Sequence, residues 1–260
     1  MRKNSTTDTS TSLPLLQASS LTRRFNGLIA VNKVSVDLHI GEVHAVIGTN
    51  GAGKSTLINM LSGEIAVSDG SIKLNGADVT RLSQPKRARS GIGRSYQRTT
   101  IFPSFSVLEN CRLAAQAAQQ RPWMFWEAAS RCSDSLNTAR KALEAAGLAD
   151  ALHTPAGSMS HGKKRQLEIA MCLATTPQVL LLDEPLAGMG AEETERMLTM
   201  LERLKQTHAI LLVEHDMDAV FRVADRITVM VNGEVIASDV PEAIRTNPAV
   251  QIAYLGDAHL

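Results

Sequence analysis

Cysteine is scarce in this chain: Cys111, Cys132 and Cys172 are the three among 260 residues. Their number is odd and no pair has C-x-x-C spacing, so neither a disulfide framework nor a zinc cluster is expected, and the compartment reads as reducing, hence cytoplasmic. An excess of one charge is lacking too. With 27 Lys and Arg against 26 Asp and Glu, the formal net charge is +1, which excludes a strongly basic nucleic-acid binder on charge alone. Long apolar runs are also missing. The longest, around Val179-Leu180-Leu181-Leu182, stops at Asp183, far short of the roughly 18–20 residues a spanning helix needs. The chain is therefore not expected to cross a membrane itself. After Met1-Arg2-Lys3, Ser and Thr fill most of positions 5–12 and no apolar segment follows, so residues 1–12 read as a disordered tail rather than a signal peptide.

What is present is an ordinary globular composition, 44% hydrophobic and 20% charged, enough to bury a full core in one domain or a domain with a subdomain. Apolar residues tend to alternate at 15–25 and 34–38, which predicts half-buried strands of an antiparallel layer. Val43-His44-Ala45-Val46-Ile47 predicts a buried parallel strand, the run from Lys54 to Gly63 a helix closed by its glycine, and Ser71 to Gly76 a hairpin. Residues 106–147, rich in Ala, Gln and Arg, hold both tryptophans and a single proline, Pro122; they predict a helical insertion. From 178 onward the pattern is strand (179–183), amphipathic helix (192–206), strand (209–214), helix (216–223) and strand (227–231), an alternation that argues a parallel α/β sheet. In the first of those helices Met197, Leu198, Leu201 and Leu204 share one face. Glu192, Glu193 and Glu195 stand near its N-terminus, where the helix dipole favours them.

Gly48-Thr49-Asn50-Gly51-Ala52-Gly53-Lys54-Ser55 fits G-x-x-x-x-G-K-[ST] between a predicted strand and a predicted helix, the context this phosphate-binding loop requires. Glycines let several backbone N–H groups converge on one centre, and the helix dipole adds positive potential. Gly48, Asn50, Gly51, Ala52, Gly53, Lys54, Ser55 and Thr56 are the expected contacts to a nucleoside triphosphate, with Lys54 reaching the β- and γ-phosphates and Ser55 offering its hydroxyl to Mg²⁺. A phosphate loop alone does not separate kinases, GTPases, helicases and transport motors. Asp183-Glu184 narrows the choice. An isolated acidic pair is usually a solvated strand end. Behind four apolar residues it places two carboxylates at the edge where the loop lies, with Asp183 expected to hold the Mg²⁺ shell and Glu184 to take a proton from the attacking water.

Just upstream, Met159-Ser160-His161-Gly162-Lys163-Lys164-Arg165-Gln166 precedes a helical stretch whose Leu167, Ala170, Met171 and Ala174 share a face. Read from the residues alone, Ser160-His161-Gly162 is either an N-cap and turn or a second phosphate-binding helix end. The segment resembles the signature of ABC ATPases, L-S-G-G-Q or L-S-H-G. The resemblance implies that Ser160, His161 and Gly162 cap the γ-phosphate bound by another subunit. Further elements of that family follow in order from about residue 15 to 257. Gln97, in Ser95-Tyr96-Gln97-Arg98, matches the glutamine that contacts Mg²⁺ and the attacking water. His215, in Val213-Glu214-His215-Asp216, matches the switch histidine that bonds the γ-phosphate and Glu184. Phe25, in Arg23-Arg24-Phe25-Asn26-Gly27, matches the aromatic that packs on adenine, the plain alternative being a core Phe. Three positions differ from the family pattern: Met159 stands for Leu, Lys163 for Gln or Glu, and Gly190 for Asp or Asn.

The segment Glu234 to Ser238, followed by Pro241 to Pro248 and Ala253-Tyr254-Leu255-Gly256, resembles the C-terminus of ATPases that serve branched-chain amino acid importers and their urea and amide relatives. The implied fold is α/β, a P-loop NTPase of ABC type with a mixed-sheet core, an antiparallel β layer and an α-helical subdomain. Its implied division is a tail at 1–12, ATP-binding core at 13–98, helical subdomain with signature at 99–161, second half of the core at 162–240 and a family-specific tail at 241–260. The implied activity is ATP hydrolysis with Mg²⁺, powering import through two separate permease subunits by closure of a head-to-tail dimer with a second ABC ATPase, a paralogue or itself. A substrate-binding protein outside the cytoplasm would deliver the cargo, and this chain would sit on the cytoplasmic face of the membrane, with no nucleic acid involved. The groove between the Gln97 region and the subdomain at 99–160 is the expected permease contact. Rival readings are the ATPase of a lipopolysaccharide exporter, a soluble ABC ATPase acting on ribosomes or DNA, and a small-molecule kinase; the last leaves Ser160, Gln97 and His215 without a purpose.

Overall fold

The computed structural model describes residues 13–96, 100–119 and 133–255. The chain opens with β1 (Leu16–Phe25) and β2 (Leu28–Leu38), an antiparallel pair turned at Asn26-Gly27, both at positive φ, the backbone that a tight two-residue hairpin demands. β3 (Val43–Gly48) leads through the loop 49–53 into α1 (Lys54–Ser62), and β4 (Asp69–Leu74) and β5 (Ala77–Asp78) form a short hairpin. α2 (Gln84–Arg89) and β6 (Ile92–Arg94) follow. A helical layer is built from α3 (Val107–Gln119), α4 (Ser133–Ala145) and α5 (His161–Leu173). The remaining elements are β7 (Val179–Asp183), α6 (Ala191–Leu204), β8 (Ala209–Val213), α7 (Met217–Val223), β9 (Arg226–Val231), β10 (Glu234–Asp239), α8 (Pro241–Thr246) and α9 (Pro248–Leu255).

Two sheets result, a four-stranded one in the order β2-β1-β4-β5 and a six-stranded one in the order β10-β9-β3-β8-β7-β6. The first is antiparallel; the second is parallel apart from β10 at its edge. Every residue of β3, β7 and β8 is buried, which is why these strands read as nearly unbroken apolar runs. Successive side chains point to opposite faces. Val179, Leu181 and Leu211 join Leu57, Ile58 and Leu61 of α1 and the antiparallel sheet in one core, whereas Leu180, Leu182 and Leu212 join the layer of α3, α4, α5 and α6 in another.

The expected helix over 54–63 ends at Gly63, which adopts the left-handed cap conformation and donates its N–H to Met60 O. The expected apolar face of α6 is buried at Met197, Leu198, Leu201 and Leu204. α3 and α4 lie in the segment read as a helical insertion; both tryptophans and Pro122 lie outside the described residues, as does the tail 1–12. α2 and the three-residue β6 were not foreseen, because elements this short show no period. β6 forms only by pairing with β7 along Ile92, Gly93 and Arg94.

One buried cation ties α1 to its surroundings. Arg87 is 1% exposed and donates to the carbonyls of Met60 (2.6 Å), Leu61 (2.9 Å), Thr80 (2.6 Å) and Leu82 (3.2 Å). It thereby satisfies the last carbonyls of the helix that carries Lys54. Arg87→Ala should lower the unfolding free energy by about 3 kcal/mol, since several buried acceptors lose their donor. The exposed Arg89→Ala should change it by less than about 0.5 kcal/mol. Urea titration of both variants checks the contrast.

Candidate functional site

The register of the parallel sheet sets the site. Val213 is level with Val46 on one side and with Asp183 on the other, so the residues just beyond these strand ends meet along one edge. At that edge Gly48 ends β3 and Gly53 starts α1 in the left-handed region, φ 98°. A Cβ on Gly53 would lie 2.5 Å from the Ala30 carbonyl oxygen, and one on Gly48 would lie 2.1 Å from that of Met230. The Gly233 N–H donates to Ala52 O at 3.0 Å. The loop is thus held between β2 and the β9–β10 hairpin, with Asn50 and Gly51 exposed at its tip and Ala52 buried.

Lys54 is buried and folds back over the loop, its Nζ donating to Gly48 O at 2.7 Å and Thr49 O at 3.0 Å. Burial pushes its pKa down, and the carboxylates of Glu184 and Asp183 act against that. Ser55, exposed, and Thr56, half-buried, follow in the first turn of α1. Asp183 is buried at the end of β7. Its Oδ2 is 3.5 Å from Arg94 Nη2, and its buried Oδ1 has no hydrogen-bond partner. Burial pushes this carboxyl up, with Arg94 opposing. Arg94 also donates to Ser62 Oγ at 2.8 Å and Glu64 Oε2 at 2.6 Å, and its guanidinium lies 4.9 Å from the centre of the Tyr96 ring.

Glu184 adopts φ 49°, a conformation that costs a non-glycine residue roughly 1–2 kcal/mol and recurs at functional sites. Its N–H donates to Val213 O at 2.9 Å, and its Oε1 lies 3.9 Å from His215 Nδ1. The His215 side chain is 63% exposed. Beneath it Glu214 is buried and accepts from Leu186 N at 2.8 Å and His215 N at 3.1 Å, and burial pushes its carboxyl up. Glu214 therefore joins the loops after β7 and β8.

The structure brings together the loop 48–55, Asp183, Glu184 and His215. Gln97 lies outside the described residues. Phe25 is 38% exposed at the end of β1, with the Arg23 guanidinium 4.5 Å above its ring, so it is not the core residue of the alternative reading. Ser160 caps α5, accepting from Lys163 N at 3.4 Å; Gly162 is buried and His161 exposed. All three stand beside the N-terminus of α6, where Ser160 Oγ donates to Glu193 Oε1 at 2.9 Å. Met159 fills a buried position as Leu would, Lys163 is exposed, and Gly190 caps α6 at φ −78° with open space where a Cβ would stand. Two residues of this edge escaped the sequence reading. Glu214 repeats at β8 the pattern of an acid directly behind an apolar run, a usable signal, whereas Arg94 sits on a strand too short to give one.

An α/β core with a phosphate loop, a buried acidic strand end and a histidine on one edge, overlaid by a helical layer and an antiparallel sheet, is an ATP-binding cassette. The chain belongs to the ABC transporter family. The family model described as "ABC transporter" matches residues 31–187, and that described as "Branched-chain amino acid ATP-binding cassette transporter" matches 234–260. It is an ATPase subunit of that class. The chain is similar to the high-affinity branched-chain amino acid transport ATP-binding protein LivG of Salmonella typhimurium, 40% identical over 95% of this chain and 100% of that protein. It is likewise similar to BraF of Pseudomonas aeruginosa, which carries the same description, at 37% over 95% and 100%. Among solved structures, an ATP-binding cassette of an ABC transporter in its ADP conformation matches with TM-score 0.83 and 27% identity over 94% of this chain and all of that one. A dimeric bacterial ABC transporter cassette, 21% identical with TM-score 0.73 over 87% and 98%, shares the fold. No helix among the described residues is long and apolar enough to cross a membrane.

The two glycines at helix starts should respond oppositely. Gly53→Ala should cost about 2 kcal/mol or more, because its Cβ meets a backbone carbonyl in a left-handed conformation. Gly190→Asn should hold stability or raise it by a few tenths of a kcal/mol, Asn being a good N-cap. Chemical denaturation of the two variants reads the difference, and a loss below about 0.5 kcal/mol for Gly53→Ala would show that the loop yields.

Proposed function

We propose that this chain is the ATP-hydrolysing subunit of an importer for branched-chain or related amino acids. It works at the cytoplasmic face of the membrane with two permease subunits and a second ABC ATPase, and a substrate-binding protein delivers the cargo. The match of residues 234–260 to the branched-chain amino acid cassette segment carries this reading, alongside similarity to LivG and BraF over 95% of the chain. In the division of labour, residues 13–98 and 162–240 form the ATP-binding core, 99–161 the helical subdomain and 241–260 the family-specific tail.

On this reading the backbone N–H groups of the loop Gly48 to Gly53 receive the phosphates of ATP. Lys54, held over the loop carbonyls, turns its ammonium to the β- and γ-phosphates, and Asn50, Gly51, Ala52 and Thr56 complete the cradle. Phe25, exposed, stacks on adenine. The donor set for a magnesium ion is all oxygen: the exposed Ser55 hydroxyl and the Asp183 carboxylate, whose Oδ1 is buried without a partner, with Gln97 as a further ligand. These residues fit a hard divalent cation; when bound, it neutralises charge on the phosphate oxygens. Glu184 takes the proton of the attacking water, and His215, 3.9 Å from it, bonds the γ-phosphate and keeps that carboxylate in place. Ser160, His161 and Gly162 cap the nucleotide of the partner subunit, so hydrolysis waits for closure.

The permease contact is the start of the helical subdomain. Phe102 and Phe105 are 49% and 41% exposed and stack on each other with ring centroids 5.5 Å apart. Their segment is anchored by Thr100 N–H on Glu168 Oε1 at 2.9 Å and Phe102 N–H on Asn110 Oδ1 at 2.7 Å. An exposed apolar pair on a fixed loop suits a helix end of a membrane subunit.

Glu184→Gln should keep ATP binding and lower turnover by roughly 10²–10⁴, the range for losing a general base. Uptake of radiolabelled leucine by cells of the source organism carrying only this variant should fall in parallel. Turnover like that of the unmodified chain would overturn the role of Glu184, and loss of urea uptake with leucine uptake intact would overturn the cargo class.

A further inference from the structure

Glu193 has no part in the chemistry above, yet it occupies a place that chemistry requires. It is the third residue of α6, and its carboxylate lies between two helix N-termini. Oε1 accepts from Ser160 Oγ at 2.9 Å, and the carboxylate faces the backbone N–H groups of Gly190 and Gly162, whose positive ends favour its charge. The Ser160 hydroxyl first, then these N–H groups, hold the Glu193 carboxyl below its usual range. A Cβ on Gly162 would lie 2.4 Å from Glu193 Cδ and 2.6 and 2.7 Å from its two oxygens. The carboxylate therefore fills the notch left by the missing side chain.

The Gly190 contact is the usual reach of a third-position Glu back to its own N-cap. The contacts to Ser160 and Gly162 are different, because they belong to α5. An anion already sits where a helix of 13 residues directs its dipole and its free N–H groups.

We propose that Glu193 is an internal stand-in for the γ-phosphate: its carboxylate occupies the anion-binding end of α5 in the unpaired subunit, and closure onto the partner's ATP displaces it. The inference rests on the proposed role of Ser160 and Gly162 as the cap for the partner's nucleotide. A γ-phosphate brings more charge and more acceptor oxygens than a carboxylate, so ATP displaces Glu193. ADP has no γ-phosphate and leaves Glu193 seated. The displaced carboxylate remains on α6, where the Gly190 N–H and the dipole of that helix still receive it. Glu193 thus sets the ATP concentration at which the subunits close and helps the open state persist with ADP.

The test uses the transporter complex isolated with its membrane subunits and carrying Glu184→Gln, with radiolabelled ATP retained after rapid filtration as the measure of closure. Adding Glu193→Gln, which removes the charge and keeps the shape, should lower the half-saturating ATP concentration about two- to fivefold, the scale of one carboxylate at a helix N-terminus. Glu193→Asp keeps a charge in the first turn of α6 but draws it back from Ser160 by one methylene. It should shift closure in the same direction, so a folding failure of one variant leaves the other to decide. Ser160→Ala should raise the half-saturating concentration. Unchanged retention in Ser160→Ala would mean that the signature role itself is wrong. A raised value there, with retention unchanged or weakened in the Glu193 variants and a lower Tm, would overturn the stand-in alone and leave Glu193 as a structural cap.

Discussion

Backbone carbonyls pressing on the phosphate loop are the constraint from which the rest of the site follows. Ala30 O from the antiparallel sheet and Met230 O from the parallel sheet approach the α-carbons of Gly53 and Gly48 so closely that a Cβ would lie 2.5 and 2.1 Å from them. The loop is therefore a three-way junction of β2, β9 and α1. Its curl holds only while both sheets are assembled. Arg87 serves the same end from the far side, pinning the C-terminal carbonyls of α1.

The buried charges at this edge are met in two ways, by opposite charges and, at Glu214, by the backbone N–H groups of Leu186 and His215. Lys54 lies near Asp183 and Glu184, and Arg94 lies near Asp183 and Glu64. The arrangement is nevertheless incomplete at Asp183 Oδ1, which is buried without a hydrogen bond. Such a group costs about 1–3 kcal/mol unless something meets it. On the proposed reading a magnesium ion does so, and the structure carries that cost, with the left-handed Glu184, as part of a preorganised site. The second anion-binding end of the molecule, at α5, is arranged the other way, since Glu193 already meets its donors. On the proposed reading, one end is poised to receive charge, and the other gives up a charge before it receives one.

Much of this was legible from local pattern. The phosphate loop, the strand ending in Asp183-Glu184, α1 with its glycine cap and the apolar face of α6 all depend on residues close in sequence, and the structure has each of them. β6 was not legible, because three residues carry no period and their strand state comes from pairing with β7. Nor was the surface position of Phe25, since the same Arg23-Arg24-Phe25 segment at the end of a strand suits a core or a surface. At two of the departures, Met159 is buried like the Leu it replaces and Gly190 has an ordinary N-cap conformation.

By itself the sequence determined the family, the chemistry class and the identity of most groups expected at the nucleotide, because these are written in contiguous motifs whose spacing is the spacing of strands, turns and helices. The tertiary structure alone decided which groups face one another. Val46, Asp183 and Val213 come level through parallel pairing between strands far apart in sequence, and this sets His215 beside Glu184. Arg94 meets Asp183 across a strand pair, and Glu193 meets Ser160 across two helices. Such encounters depend on register and helix packing, which are properties of the assembled core and cannot be read from any one segment.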